Sequence, residues 1–333
     1  MLQTLNPVWR GTMSPLPTDR LDAVIRTFGC HKGALSKSAA HHLRKSGKRS
    51  RAKLTFAAAQ PYEAPTPLIH VSAAVELLHE ASVVHDDIQD RTDYRRGQLT
   101  VWRKFGSNTA LLLGDHFIAS AFRCLAASEC RAEVLPALIQ AMADATSRAT
   151  SGQLQQLGLS ADERQLCDKY MTLARNKTGA LVALPLQFAA LLADGDEQRA
   201  EYARRSGEQL GLAYQILNDL QPLRTPATLA SHEDMVDRVV TAPVVAVAQI
   251  TADKDVFAQL THCKATRQQA IQSCRGWVRQ AVALARTNAG YTPQAIAQVV
   301  EHFIAQYLSE PKTAESSTAS VDRPPANATW AEA

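Results

Sequence analysis

The sequence predicts an all-α fold, a single bundle of about ten or more helices. Three observations carry this. The 333 residues are 46% hydrophobic but only 6% aromatic, and Ala and Leu dominate, which favours helices over sheets. Apolar residues recur at helical spacing through one long segment after another. No segment shows a strand pattern, and no short repeat is visible. The length permits two domains, but one large helical domain accommodates it as well.

Residues 1–17 hold Pro7, Pro15 and Pro17 without periodicity and read as a flexible tail. A domain spanning 18–309 follows. Thr18 and Asp19 suit the cap of a short helix carrying Leu21, Val24, Ile25 and Phe28. Pro67 fits the first turn of a helix, and Ile69, Val71, Ala74, Val75, Leu78, Ala81, Val84 and Ile88 make Leu68 to Asp90 a mostly buried one. Asn108 to Ala127 reads as another, with Gly114 permitting close packing and Asp115 as a buried hydrogen-bonding residue. Arg131 to Leu159 and Asp162 to Leu192 continue the series, the second with Lys177-Thr178-Gly179 inside it and a kink at Pro185. Glu197 to Leu220 follows the turn at Asp194-Gly195-Asp196. Residues 222–235 read as a loop, and Val236 to Ile250, Val256 to Asn288 and Thr292 to Leu308 complete the helices. Residues 310–333, rich in Ser, Thr, Ala, Pro and Glu, read as a disordered tail.

The formal net charge of +4 suits an anionic ligand but is too small to imply nucleic acid. Six scattered cysteines form no Cys-x-x-Cys pair, so neither a zinc site nor a disulfide framework is indicated, and reduced thiols in a cytoplasmic protein are expected. The first residues lack the basic start and apolar run of a signal peptide, and no apolar run reaches the length of a membrane span.

The chemistry centres on His85-Asp86-Asp87-Ile88-Gln89-Asp90, followed by Arg95-Arg96-Gly97. On a helix Asp86 and Asp90 share a face one turn apart, with Asp87 to the side. Carboxylates so close repel unless a cation lies between them, and Mg²⁺ takes one or two carboxylates while leaving room for substrate phosphates. The arginines then suit the remaining phosphate charge. The plain alternative is a solvated acidic helix end. His79 lies two turns before Asp86 on the same face, and the basic run from His41 to Lys53 offers Lys48 and Arg51 around Gly47, where a tight turn is expected. A lysine inside an apolar helix, such as Lys177, needs an anionic partner or an exit to water.

Taken together, Gly47-Lys48-Arg49-Ser50-Arg51, His79, Asp86-Asp87-Ile88-Gln89-Asp90 and Arg95-Arg96-Gly97 resemble the trans-isoprenyl diphosphate synthases. Gly114-Asp115, Gly152-Gln153, Lys177-Thr178 and Gln215-Ile216 before Asn218-Asp219 extend the resemblance over residues 20–305. It implies helices around a deep central cavity (the isoprenoid synthase fold), a homodimer or heterodimer, and two or three Mg²⁺ ions. It implies condensation of isopentenyl diphosphate with an allylic prenyl diphosphate. Carried over by position, Asp86, Asp87, Asp90 and Asp219 are metal ligands. Lys48, Arg51, His79 and Arg96 resemble an isopentenyl diphosphate clamp. Arg95, Lys177 and Gln215, with Thr178 beside them, resemble the groups around the allylic diphosphate and are the expected catalytic residues.

The second acidic motif departs from the family's Asp-Asp-x-x-Asp, reading Asn218-Asp219-Leu220-Gln221-Pro222, and a downstream lysine is replaced near Arg238. Three readings follow: an active synthase with a relaxed second metal site, a terpene cyclase or modified prenyltransferase on the same scaffold, and a non-catalytic regulatory subunit of a heteromeric synthase. The complete clamp argues against a cyclase, as does the presence of Pro222 and Pro226 where the other cyclase motif has Ser and Glu. Ser82 and Ala81, small residues where the family places bulky ones to close the cavity floor, predict products of C20 or longer.

Overall fold

The computed structural model describes residues 16–30, 32–251 and 255–308. The expected tails, apart from residues 16 and 17, lie outside the described residues. Helices α1 (Thr18–Gly29), α2 (Ser36–His42) and α3 (Ser50–Ala59) lead to α4 (Pro65–Gln89). Pro65 and Pro67 occupy the first turn of α4, where a missing N–H breaks no helical bond. Leu68, Val71, Ala73, Ala74 and Leu77 are wholly buried, so α4 is a core helix.

A short antiparallel ribbon follows, β1 (Tyr94–Arg95) against β2 (Gln98–Leu99). It corrects the strand-free sequence expectation. Two residues per strand are too few to show alternation, and the signal lies in the turn, where Arg96 and Gly97 have φ of 52° and 70°. Positive φ at both central residues matches the twist of a hairpin.

Then come α5 (Val101–Phe105), α6 (Ser107–Ala126) and α7 (Leu135–Leu157). α6 is long and apolar enough to cross a membrane by length and composition, which corrects the expectation that no segment is. Its Leu113, Phe117, Ala121 and Cys124 are wholly buried, and it packs along α4. Asp115 is mostly exposed, 3.7 Å from His85 Nε2, rather than buried.

The helix expected over 162–192 is divided into α8 (Leu166–Ala174), a π-helical turn (Arg175–Gly179) and α9 (Ala180–Asp194), with Pro185 inside α9. Such turns displace side chains from the helical register and are frequent at functional sites. α10 (Glu197–Asp219) is capped by Asp196, whose Oδ1 accepts from the Gln198 and Arg199 amides at 2.8 and 3.0 Å.

The stretch expected as a loop holds two 3₁₀ turns (Pro222–Arg224 and Pro226–Ser231) and α11 (Glu233–Val236). The next helix is α12 (Ala242–Ile250), six residues later than expected: Arg238 is left-handed at φ 53°, and Pro243 sets the first turn. The last long segment breaks at Cys263 into α13 (Val256–His262) and α14 (Lys264–Ala289), and α15 (Gln294–Phe303) ends in a π turn. α4 packs against α1, α3 and α6, while α9 packs against α3, α7 and α10, and α10 against α14. Their polar ends converge on a cleft of about 880 Å³.

Candidate active site

The last turn of α4 forms one wall. Asp86 lines the cleft, and its carboxylate takes no hydrogen bond or ion pair from a described residue. Burial pushes its carboxyl up, Lys177 opposes this, and Asp90 and Asp87 add to it. Asp90 ends the helix in an exposed position. Asp87 behaves differently: it is 2% exposed, faces a small cavity behind the cleft, and accepts Arg95 Nε at 2.6 Å. Burial raises its carboxyl against the pull of Arg95.

Behind this wall lies a buried hub. Glu80 receives His42 Nε2 and Arg49 Nη1, each at 2.7 Å, and Arg96 Nη1 at 3.2 Å. Burial alone would raise its carboxyl, but the His42 hydrogen bond and the charges of His42 and Arg96 hold it well below the usual carboxylate range. The hub holds Arg96 beside Gly47, where a Cβ would stand 2.7 Å from Arg96 Nη2. The glycine therefore admits a guanidinium, and its φ is not positive. His79 is 7% exposed and lines the cleft with no partner for Nδ1. Burial and Arg51 push its imidazole well down, so it is neutral. Arg51 also lines the cleft, its buried Nε unpaired. Lys48 is exposed near the start of α3.

The opposite wall is built on the π turn and the end of α10. Lys177 Nζ donates to the neutral Gln156 Oε1 at 2.8 Å and lines the cleft, so this lysine has an exit from its apolar helix and not an anionic hydrogen-bond partner. Gly152 of α7 allows this approach, since a Cβ there would lie 2.3 Å from the Lys177 amide nitrogen. Thr178 Oγ1 donates to Gln215 Oε1 at 2.6 Å, and Gln215 Nε2 donates to Asp219 Oδ1 at 2.7 Å. Asp219 Oδ2 accepts Tyr170 Oη at 2.6 Å and the Ala242 amide at 2.8 Å. Even so, burial outweighs the three donors, and the carboxyl is pushed up to about 6.

Of the residues singled out from sequence, Arg51, His79, Asp86, Arg95, Lys177, Thr178 and Gln215 line one cleft. Lys48, Asp87, Asp90, Arg96 and Asp219 are not among its lining residues. Sequence reasoning misses Glu80 and Tyr170, and also Arg224, His232 and Asp234, which line the cleft from the segment after α10. Glu76 and Glu80 carry a readable signal, being carboxylates inside an otherwise apolar helix. The segment after α10 carries none.

Asp86 and Asp90 offer free oxygen donors one turn apart, which suits a hard divalent ion. Among the described residues no three His, Cys, Asp or Glu side chains gather into a metal-holding group. The residues therefore fit Mg²⁺ completed by ligands from a substrate, and not a preformed protein cage.

Residues 32–278 match the family model for polyprenyl synthetase. The chain is 33% identical over 204 residues to a (2E,6E)-farnesyl diphosphate synthase of Mycobacterium tuberculosis, covering 61% of this chain and 56% of that one. It is 35% identical over 210 residues to a geranylgeranyl diphosphate synthase of the same organism, covering 60% and 58%. The matches thus span little more than half the length of these relatives. A geranylgeranyl pyrophosphate synthetase from the archaeon Geoglobus acetivorans superposes with a TM-score of 0.72 at 24% identity, over 86% of this chain and 98% of that one. The family model extends over well more than half of the sequence, and the all-α fold agrees with it: the chain belongs to the polyprenyl synthetase family.

Proposed function

We propose that the protein is a prenyltransferase that condenses isopentenyl diphosphate with an allylic prenyl diphosphate to give a longer trans-prenyl diphosphate, C20 or longer. The observation that carries this is the pairing of the free carboxylates of Asp86, in the cleft, and Asp90, one turn on, with cationic and neutral groups lining that cleft: Arg51 and His79, each with an unpaired buried nitrogen, and Lys177, which donates to the neutral Gln156. The acidic side suits metal ions and the basic side suits phosphate oxygens.

Asp86 and Asp90 would hold two or three Mg²⁺ ions together with the allylic diphosphate. When bound, the ions would neutralise charge on the leaving diphosphate. Lys177 and Arg95, both on the cleft lining, would stabilise the same charge as the allylic carbon–oxygen bond breaks. Gln215, held by Thr178 and Asp219, would contact that diphosphate. Arg51 and neutral His79, with Lys48 and Arg96 near them, would bind the isopentenyl diphosphate so that its double bond attacks the allylic cation and a proton leaves. Val83, Leu154 and Leu181 give the cleft apolar walls that would exclude water from the cation. The proposed setting is the cytoplasm, as a dimer with itself or with a relative.

One observation favours a second reading, a non-catalytic partner subunit: Asp219 is fully engaged and Asn218 stands in the cleft in its stead. Diphosphate release by the purified protein alone separates the two. Release that requires both substrates supports elongation. Release without isopentenyl diphosphate would indicate a cyclase, and none from folded protein would favour the partner subunit.

A further inference from the structure

The second arm of the cleft has no acid at either end of Asn218-Asp219-Leu220-Gln221-Pro222. Its one aspartate is held by Tyr170, Gln215 and the Ala242 amide. A carboxylate nevertheless reaches this side of the cleft from further along the chain. Asp234, in α11, lines the cleft together with Asp86, Asn218 and His232. It is near enough to Asp90 for the two charges to act on one another. Among the described residues its carboxylate has His232 beside it, with Nδ1 3.5 Å from Oδ2.

The backbone fixes this position. His232 Nδ1 accepts the Asp234 amide at 3.3 Å, and the Asp234 carbonyl accepts the Val239 amide at 2.8 Å. The left-handed Arg238 turns the chain between them. A separate sign that the cleft takes a polar ligand comes from its floor, where His79, 7% exposed, lines it with Nδ1 unpartnered. The buried Oε1 of Gln153, also on the lining, has no partner either. Carboxylates facing each other across such a space repel, and a divalent cation between them, completed by phosphate oxygens and water, relieves the repulsion.

We infer that Asp234 supplies the carboxylate of the second arm, binding a divalent cation shared with a substrate diphosphate in place of the acids missing from residues 218–222. This rests on the diphosphate reading proposed above. Asp219 is then a positioning residue that holds Gln215 and the start of α12, and Asn218 at most a neutral ligand.

The test is Mn²⁺ uptake by the full chain in the presence of inorganic pyrophosphate, followed by electron paramagnetic resonance, with thermal melting in parallel. Asp234→Asn is expected to lose one ion or to bind it at least about tenfold more weakly, with an unaltered melting temperature. Asp234→Ala gives the same reading should the amide variant fold poorly. Unchanged uptake by a folded Asp234 variant would overturn the inference, as it would if Arg224, on the same arm, met the phosphates directly. Asp86→Asn separates the two levels. If it loses Mn²⁺ while Asp234→Asn does not, the metal site stands and the role of Asp234 falls. If the folded wild-type chain takes up no Mn²⁺ with pyrophosphate, the diphosphate reading fails and the inference fails with it.

Discussion

At the end of α4, Asp86 and Asp90 stand free while Asp87 is held by Arg95; at the end of α10, Asp219 is held by three donors and Asn218 faces the cleft. Both are acidic helix ends that open on the same space. They differ in who else is near. Arg95 arrives on a hairpin that engages one carboxylate of three and leaves two. Tyr170, Gln215 and the α12 amide converge on the sole carboxylate at the end of α10 and leave none. A motif aspartate is available as a ligand only where its neighbours have not already satisfied it.

That contrast is sharpest in activity. Asp86→Ala is expected to lower turnover by about 10³-fold or more, since it removes charge stabilisation at the leaving diphosphate. Steady-state rates check this, and activity within about tenfold of wild type would remove Asp86 from the metal set.

Stability should respond in the opposite order. Asp219→Ala strands the Tyr170 hydroxyl, the Gln215 amide and the Ala242 N–H in a buried place, at a cost on the order of 4 kcal/mol. Asp86→Ala removes a carboxylate whose ionised form burial disfavours, and is expected to melt no lower than wild type without metal. Denaturant titration of the two variants side by side would break the comparison if Asp86→Ala proved the less stable.

The pH profile isolates Asp219. Its carboxyl is pushed up to about 6 in the fold, whereas an unfolded chain releases that proton near 3.9. Between roughly pH 4 and pH 6 the folded state therefore binds more protons, and stability falls as pH rises through this window. The contribution is full below about pH 4, declines by at most roughly 3 kcal/mol, and levels off above about pH 6. The difference in unfolding free energy between wild type and Asp219→Ala, measured across pH 4–7, should carry this decline.

The smallest effect concerns product rather than rate. Ser82 lines the cleft, whereas Ala81, one residue earlier, is 1% exposed and not among its lining residues. Ser82→Phe is thus expected to shorten the product and Ala81→Phe to disturb packing instead. Product analysis by mass spectrometry distinguishes them, and an unchanged product from Ser82→Phe would put the floor on another helix.

The sequence makes the helices legible because Ala- and Leu-rich segments with 3.6-residue recurrence admit little else. It marks the α4 acids for the same reason that it marks the helix, since spacing alone sets their faces. The hairpin escapes it because two-residue strands have no period. The break at Arg238 escapes it because a left-handed residue other than glycine carries no local signal. The state of Asp219 depends on Tyr170 and Ala242, 49 and 23 positions away in sequence. Asp234 is hidden likewise, brought to the cleft by two 3₁₀ turns that read as a loop.

The central claim, that this cleft elongates a prenyl chain, is tested most directly by incubating the purified protein with Mg²⁺, isopentenyl diphosphate and, in parallel, dimethylallyl, geranyl, farnesyl and geranylgeranyl diphosphates, with mass spectrometry before and after phosphatase treatment. The account predicts a prenyl diphosphate longer than the allylic substrate supplied, formed only when isopentenyl diphosphate is present. No product from folded protein, or hydrocarbons and alcohols formed without isopentenyl diphosphate, would contradict it.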